Sequence, residues 1–261
     1  MAEGPTNGDS RVKGYPRGIR AIAFDLGETL LTYRDIPPSW ESLYRAALSN
    51  VADACGGSPT FAQFATAEAL LAEYNTRINS RAEEVAAEHI FRRVLEAWWL
   101  SAEQLQTAVE AFFRFFQQNL IVYPETHQTL ARLRQWGLKI GVLTDVAYGM
   151  PRPFVQNGLA NVGIDSLIDV LFTSVDVGFR KPNPRGFLAL ARALAVRPAE
   201  MIYVGNESKD VVGANSAGLF SVLIDRDGFV PQYGQGAVIH SLAEIPKAWA
   251  CRSSPKAMPG D

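Results

Sequence analysis

Four stretches of this 261-residue chain end an apolar run on residues that can do chemistry. Ala21-Ile22-Ala23-Phe24 runs into Asp25-Leu26-Gly27-Glu28-Thr29, and Leu138-Lys139-Ile140-Gly141-Val142-Leu143 into Thr144-Asp145. Phe172-Thr173-Ser174 leads through Val175 to Gly178-Phe179-Arg180-Lys181-Pro182, and Met201-Ile202-Tyr203-Val204 ends at Gly205-Asn206-Glu207-Ser208-Lys209-Asp210. A short apolar run reads as a strand buried on both faces, which has no use for an acid inside it, so Asp25 is expected just past the carboxyl end. In an open parallel sheet such ends share one edge, where ligands bind. Asp25, Thr144, Lys181 and Asp210 would then bring an acid, a hydroxyl, an ammonium and a second acid into one pocket. A carboxylate there can act as a nucleophile, and the ammonium can stabilise negative charge beside it.

In this order the segments resemble the four motifs of the haloacid dehalogenase-like (HAD) hydrolase superfamily, over roughly residues 19 to 246. The family's first motif, an aspartate, any residue, a second aspartate and then Gly and Thr, reads here Asp25-Leu26-Gly27-Glu28-Thr29. Motif two matches Thr144, motif three Lys181, and motif four Asn206 through Asp210 with Gly213-Ala214 and Ala217-Gly218 behind it. The resemblance implies that Asp25 takes a phosphoryl group as an aspartyl-phosphate, with Thr144 and Lys181 on its oxygens. It also implies Mg²⁺ as cofactor, on Asp25, Gly27, Asn206 and Asp210, and substrate contacts from Leu26, Gly27 and Asp145. The fold implied is an α/β Rossmann-like parallel sheet with an inserted α-helical cap.

Physical chemistry asks for the same residue types. Nucleophile and phosphate are both anionic, so a divalent cation and an ammonium are needed between and beside them. Mg²⁺ takes oxygen ligands and keeps several waters, which suits two or three protein oxygens and a phosphate. Backbone N–H groups after Asp25 can add donors, and Gly27 eases close approach. Two departures stand out. Gly27 replaces the family's acid/base aspartate, a function worth roughly 10²–10⁴ in rate, with the neighbouring Glu28 as substitute candidate. Asn206 stands where an aspartate is common; its amide oxygen can ligate Mg²⁺ but adds no charge, which Glu207 would have to supply. Asp145 is read either as a partner of Thr144 or substrate, or as a helix N-cap.

The elements that position these residues follow from periodicity. Strand and helix patterns alternate through residues 18–33 and 122–252, as in a parallel sheet with crossover helices. Between them, residues 34–121 carry helical periodicity and are expected to form the cap. The expected buried faces are Ala46, Ala47, Val51 and Ala52; Phe61, Phe64, Ala65, Leu70 and Leu71; Val85, Ile90, Phe91, Val94 and Leu95; and Val109, Phe112, Phe113 and Phe116. Core packing is the expected use of Trp98, Trp99, Phe112, Phe113, Phe115 and Phe116. Arg34 and Arg45 are read as solvated rather than substrate-binding. Residues 1–17 and 253–261, rich in Gly, Pro and Ser, read as flexible ends.

A net charge of −2 with no Lys/Arg cluster argues against a nucleic-acid partner, and no apolar run reaches the ~20 residues of a membrane span. A cytoplasmic location is the default, and Cys55 and Cys251 read as ordinary thiols. His89, His127 and His240 have no paired metal spacing. The leading expectation is a Mg²⁺-dependent phosphatase of a small-molecule phosphate ester. The alternatives are a 2-haloacid dehalogenase-like hydrolase, a weakened phosphate-binding or regulatory protein, and a phosphotransferase. A homodimer is left open.

Overall fold

A computed structural model describes residues 15–117, 120–229 and 231–250. The expected flexible ends fall largely outside that range, as does Cys251. In chain order, β1 (Ala21–Phe24) and β2 (Leu31–Tyr33) precede α1 (Tyr44–Ala54), α2 (Phe61–Glu73), α3 (Ala87–Ala97) and α4 (Leu105–Phe116). Then come β3 (Leu120–Val122), α5 (Thr126–Gln135), β4 (Lys139–Thr144), α6 (Arg152–Asn161), β5 (Val170–Thr173), α7 (Ser174–Val177) and α8 (Pro184–Ala193). The chain closes with β6 (Met201–Gly205), α9 (Ser208–Ser216), β7 (Phe220–Ile224), β8 (Ala237–Ile239) and α10 (Glu244–Ala250).

Six strands form a parallel sheet in the order β5-β4-β1-β6-β7-β8. This is the α/β fold that the alternation predicts. All four residues of β1 are buried, as both faces of its sheet demand. Its last residue, Phe24, pairs with Val142 on one side and Val204 on the other. Asp25, Thr144 and Asn206 therefore leave the sheet at nearly the same level, one to two residues beyond that line. The sheet's order reverses direction about β1, so the chain goes to β4 on one side and β6 on the other, and the crevice opens between them.

β2 and β3 pair antiparallel, Leu31 with Val122 and Tyr33 with Leu120, and bracket the helices α1–α4. These four helices pack by apolar faces. α4 buries Ala108, Val109, Phe112, Phe113 and Phe116, as its spacing predicts. α1 buries Tyr44 and Leu48 beside Ala47, Val51 and Ala52, whereas Ala46 is exposed. α2 differs most: its buried face is Ala67, Leu70 and Leu71, while Phe61 and Ala65 are exposed. The Thr60 capping box with Gln63 starts this helix, and Phe61, its first residue, lies ahead of the packed turns. Trp98 is buried, whereas Trp99, in the left-handed turn that ends α3, is 88% exposed. The core placement expected of Trp99 is thus wrong: the turn's backbone geometry, not apolarity, sets its direction. No helix among the described residues is long and apolar enough to cross a membrane.

Candidate active site

Asp25 follows β1, and its N–H donates to the carbonyl of Val204 at 2.8 Å, fixing it between β1 and β6. Lys181 arrives from the loop after α7, preceding a cis peptide to Pro182. Its Nζ donates to Asp25 Oδ1 at 2.7 Å and to Asp210 Oδ1 at 2.6 Å. Two buried carboxylates thus face one buried ammonium. Burial alone would lower the lysine, but Asp210 and Asp25 outweigh it and hold it well above the ordinary value. Burial pushes the Asp210 carboxyl up to about 6, against the pull of Lys181. Asp25 lines the cavity, and its Oδ2 accepts no hydrogen bond among the described residues.

Asp210 reaches this position because β6 ends on Gly205: a Cβ at Gly205 would overlap the Asp210 side chain. Asp210 Oδ2 also accepts from the Glu207 N–H at 2.9 Å, which ties it to the first turn of α9. Thr144 ends β4, is 6% exposed, and lines the same cavity. Asp145 is not a helix N-cap. Its Oδ1 accepts the Lys181 backbone N–H at 3.1 Å and its Oδ2 lies 3.3 Å from Lys209 Nζ, so it holds the lysine's backbone. Asn206 Oδ1 accepts from the Thr29 hydroxyl at 3.4 Å, linking motif four to motif one.

Leu26, Gly27 and Glu28 line the cavity beside Asp25. A Cβ at Gly27 would meet no atom within 4 Å, so the space of a side chain there stands open. Glu28 has a positive φ of 57°, and its two oxygens accept from Thr32 and Tyr123 hydroxyls, each at 2.7 Å. Among the described residues it makes no hydrogen bond to Asp25, Thr144 or Lys181. Asp25, Asn206 and Asp210, with main-chain carbonyls nearby, form a hard-oxygen donor set. No cluster of three or more His, Cys, Asp or Glu side chains that could hold a metal ion is present among the described residues.

The cavity over these groups has a volume of about 340 Å³ and is walled by both the sheet edge and the helical segment. Several residues that line it or contact Lys181 belong to no sequence motif. Tyr203, inside apolar β6, receives the Lys181 Nζ at 3.2 Å and donates to the Leu143 carbonyl at 2.7 Å. A tyrosine amid strand aliphatics was the sign to read. Burial, then Asp25 and Glu28, push Tyr33 up to about 12, so it stays protonated. Arg77, from the loop after α2, bonds Glu207 at 2.7 Å. Burial would raise Glu207, but Lys209 and Arg77 hold it down at about 2.

A second network lies behind the first. Glu84, in the loop between α2 and α3, has a side chain only 1% exposed. It accepts from Arg180, from the Ser174 hydroxyl at 2.6 Å and from Arg81 at 2.7 Å. Arg180 also donates to the Val146 carbonyl at 2.8 Å, while Ser174 accepts the Val146 N–H at 3.0 Å. One glutamate of the helical segment therefore grips the loops that follow Thr144 and precede Lys181. Neither arginine singled out in the sequence takes part: Arg34 is exposed, and Arg45 pairs with Glu68 at 2.5 Å.

Residues 19–218 match the haloacid dehalogenase-like hydrolases. The chain is 31% identical over 237 residues to a phosphoserine phosphatase of Thermus thermophilus, covering 80% of this chain and 89% of that one. It is 31% identical to a phosphoglycolate phosphatase of Yersinia pestis, covering 77% and 79%. Among solved structures it resembles a HAD phosphatase from Thermococcus onnurineus, with a TM-score of 0.61, 26% identity and coverage of 88% and 98%. A 2-haloacid dehalogenase from Pseudomonas syringae, 24% identical with a TM-score of 0.63 and coverage of 90% and 100%, shares the fold.

Proposed function

The chain belongs to the haloacid dehalogenase-like hydrolases, and on that footing we propose that it is a Mg²⁺-dependent phosphatase of a small phosphate monoester. The observation that carries this reading is the Lys181 ammonium held between Asp25 and Asp210, with Asp25 lining the cavity. A dianionic phosphate entering there would meet the ammonium, the Thr144 hydroxyl and the N–H groups of Leu26 and Gly27, and Asp25 would attack phosphorus through its carboxylate. Similarity to phosphoserine and phosphoglycolate phosphatases supports phosphate over halide as the leaving chemistry. Neither Arg34, which is exposed, nor Arg45, which pairs with Glu68, supplies an anion-binding arginine for the dehalogenase alternative.

The hard-oxygen set fits Mg²⁺: Asp25, the Gly27 carbonyl, Asn206 and Asp210 would hold it, waters completing the shell. Bound there, it supplies positive charge against the phosphate and the attacking carboxylate. Lys181 remains charged throughout, because two carboxylates face it. Asp145 and Tyr203 keep it aimed, one through its backbone and one through its Nζ. Glu28, tied to Thr32 and Tyr123, would have to release a hydroxyl before moving a proton, and Gly27 offers none. Residues 34–121 act as a cap over the core formed by 18–33 and 122–252, excluding water from the cavity they share.

The test is phosphate release from a panel of monoesters with and without Mg²⁺. Release that requires both Mg²⁺ and Asp25, shown by its loss in Asp25→Asn, is expected. Halide release from a 2-haloacid without phosphate release from any ester would overturn the reading in favour of the dehalogenase.

A further inference from the structure

The cavity's two walls differ in chemistry. Every cation lining it among the described residues already has a carboxylate: Arg77 and Lys209 have Glu207 at 2.7 and 2.8 Å, Arg81 and Arg180 have Glu84, and Lys181 has Asp25. Glu28 adds a carboxylate whose partners are only hydroxyls. Lys181 and a divalent cation would match one phosphate, but a second anion on the substrate would meet cations already offset by Glu207 and Glu84, with Glu28 beside them. The opposite wall is apolar: Ile36, Pro37, Trp40, Met150 and Val155. Trp40 is stacked on Phe116 at 3.8 Å between ring centres, and with Leu26, Tyr33, Met150 and Val155 it also lines an adjoining apolar cleft. Leu26, Tyr33, Trp40, Met150 and Val155 are thus shared by the cavity and this cleft.

The reacting end points the same way. With no side chain at Gly27 and Glu28 engaged elsewhere, no positioned acid protonates the departing oxygen. A leaving group that carries its own charge well then has the advantage: a phenol ionises near pKa ~10, far below an alkyl alcohol.

Building on the phosphatase reading, we propose that this site takes a phosphate ester of a neutral aryl alcohol, in preference to a carboxylate-bearing alkyl one. Asp25 Oδ2 forms the bond to phosphorus as the bond from phosphorus to the aryl oxygen breaks. The electron pair leaves on that oxygen as a phenolate, which takes its proton from solvent. Water then attacks phosphorus, releasing inorganic phosphate and the Asp25 carboxylate. The ring lies against Trp40, Met150 and Val155.

The experiment compares kcat/KM of the Mg²⁺-loaded protein for phenyl phosphate, phosphoglycolate and an uncharged alkyl phosphate such as butyl phosphate. In parallel, thermal shift is measured with phenylphosphonate and phosphonoacetate, which bind but do not turn over. We expect at least 100-fold preference for phenyl over glycolyl phosphate, a larger shift with phenylphosphonate, and a tenfold rise in KM for phenyl phosphate in Trp40→Ala. A preference for phosphoglycolate that Arg77→Ala removes would overturn the inference while leaving the phosphatase intact. If no ester turns over yet phenylphosphonate gives the larger shift, the phosphatase reading fails and the apolar ligand class stands. Equal shifts with both phosphonates would also overturn it.

Discussion

At the residue scale, the site is a buried triad in which one ammonium lies between two carboxylates. Removing the cation leaves Asp25 and Asp210 facing each other uncompensated, and a broken buried pair costs ~3–5 kcal/mol. Lys181→Met is therefore expected to abolish phosphate release and to lower the chemical-denaturation free energy by about that amount; unchanged stability would mean the two acids are not both charged. Gly27 supports the opposite experiment. Open space at its Cβ position accepts a side chain, so Gly27→Asp should fold normally and raise kcat for alkyl phosphates at least tenfold, within the ~10²–10⁴ that a positioned acid contributes. No gain would mean that another group already protonates the leaving oxygen. The residues bearing this triad were legible in the sequence because each follows an apolar strand. Their partners were not: Asp145 stood open between a contact to Thr144 or substrate and a helix N-cap, and only the fold brings the Lys181 backbone to it, 36 residues away along the chain.

At the scale of elements, the parallel sheet delivers the groups and the helical segment encloses them. The junction between the two is tight. The turn after β4 puts Gly149 at a positive φ of 64°, and a Cβ there would overlap the backbone of Val85–Ala87 leading into α3. Gly149→Ala should thus weaken the junction, lowering Tm and raising KM more than it lowers kcat. Glu84 makes the junction's ionic centre. Glu84→Ala leaves buried Arg180 with the Val146 carbonyl, the Thr76 hydroxyl at 3.3 Å and the Asp145 carboxylate at 3.8 Å, and we expect a loss of ~3 kcal/mol, the low end for a broken buried pair, together with reduced kcat. A variant losing stability but keeping full kcat would make Glu84 structural alone. None of this was readable from periodicity. Glu84 sits in a loop between helices, where a glutamate has no pattern to depart from; only the fold places it against motif three. Helix faces were readable where packing is continuous, as in α4, and misread at α2, where the first-turn Phe61 precedes the packed stretch.

At the scale of the whole molecule, binding of Mg²⁺ to the folded state alone must stabilise it. At 100-fold excess over Kd the gain is about 2.7 kcal/mol, and chelation reverses it. Thermal melts with Mg²⁺ and with EDTA should differ for the wild type and coincide for a variant carrying Asp25→Asn and Asp210→Asn. A Mg²⁺ shift surviving in that variant would place the cation elsewhere. Asn206 in place of an acid makes the donor set less negative, so a Kd weaker than an all-carboxylate site provides is expected from the same titration.

The most direct test of the central claim is to quench the protein rapidly in acid during turnover and map the peptide containing Asp25 by mass. The account predicts a phosphoryl adduct on Asp25 that appears within the first turnover and is absent from Asp25→Asn, which releases no phosphate. Steady phosphate release with no adduct on Asp25, or release that persists in Asp25→Asn, would contradict it.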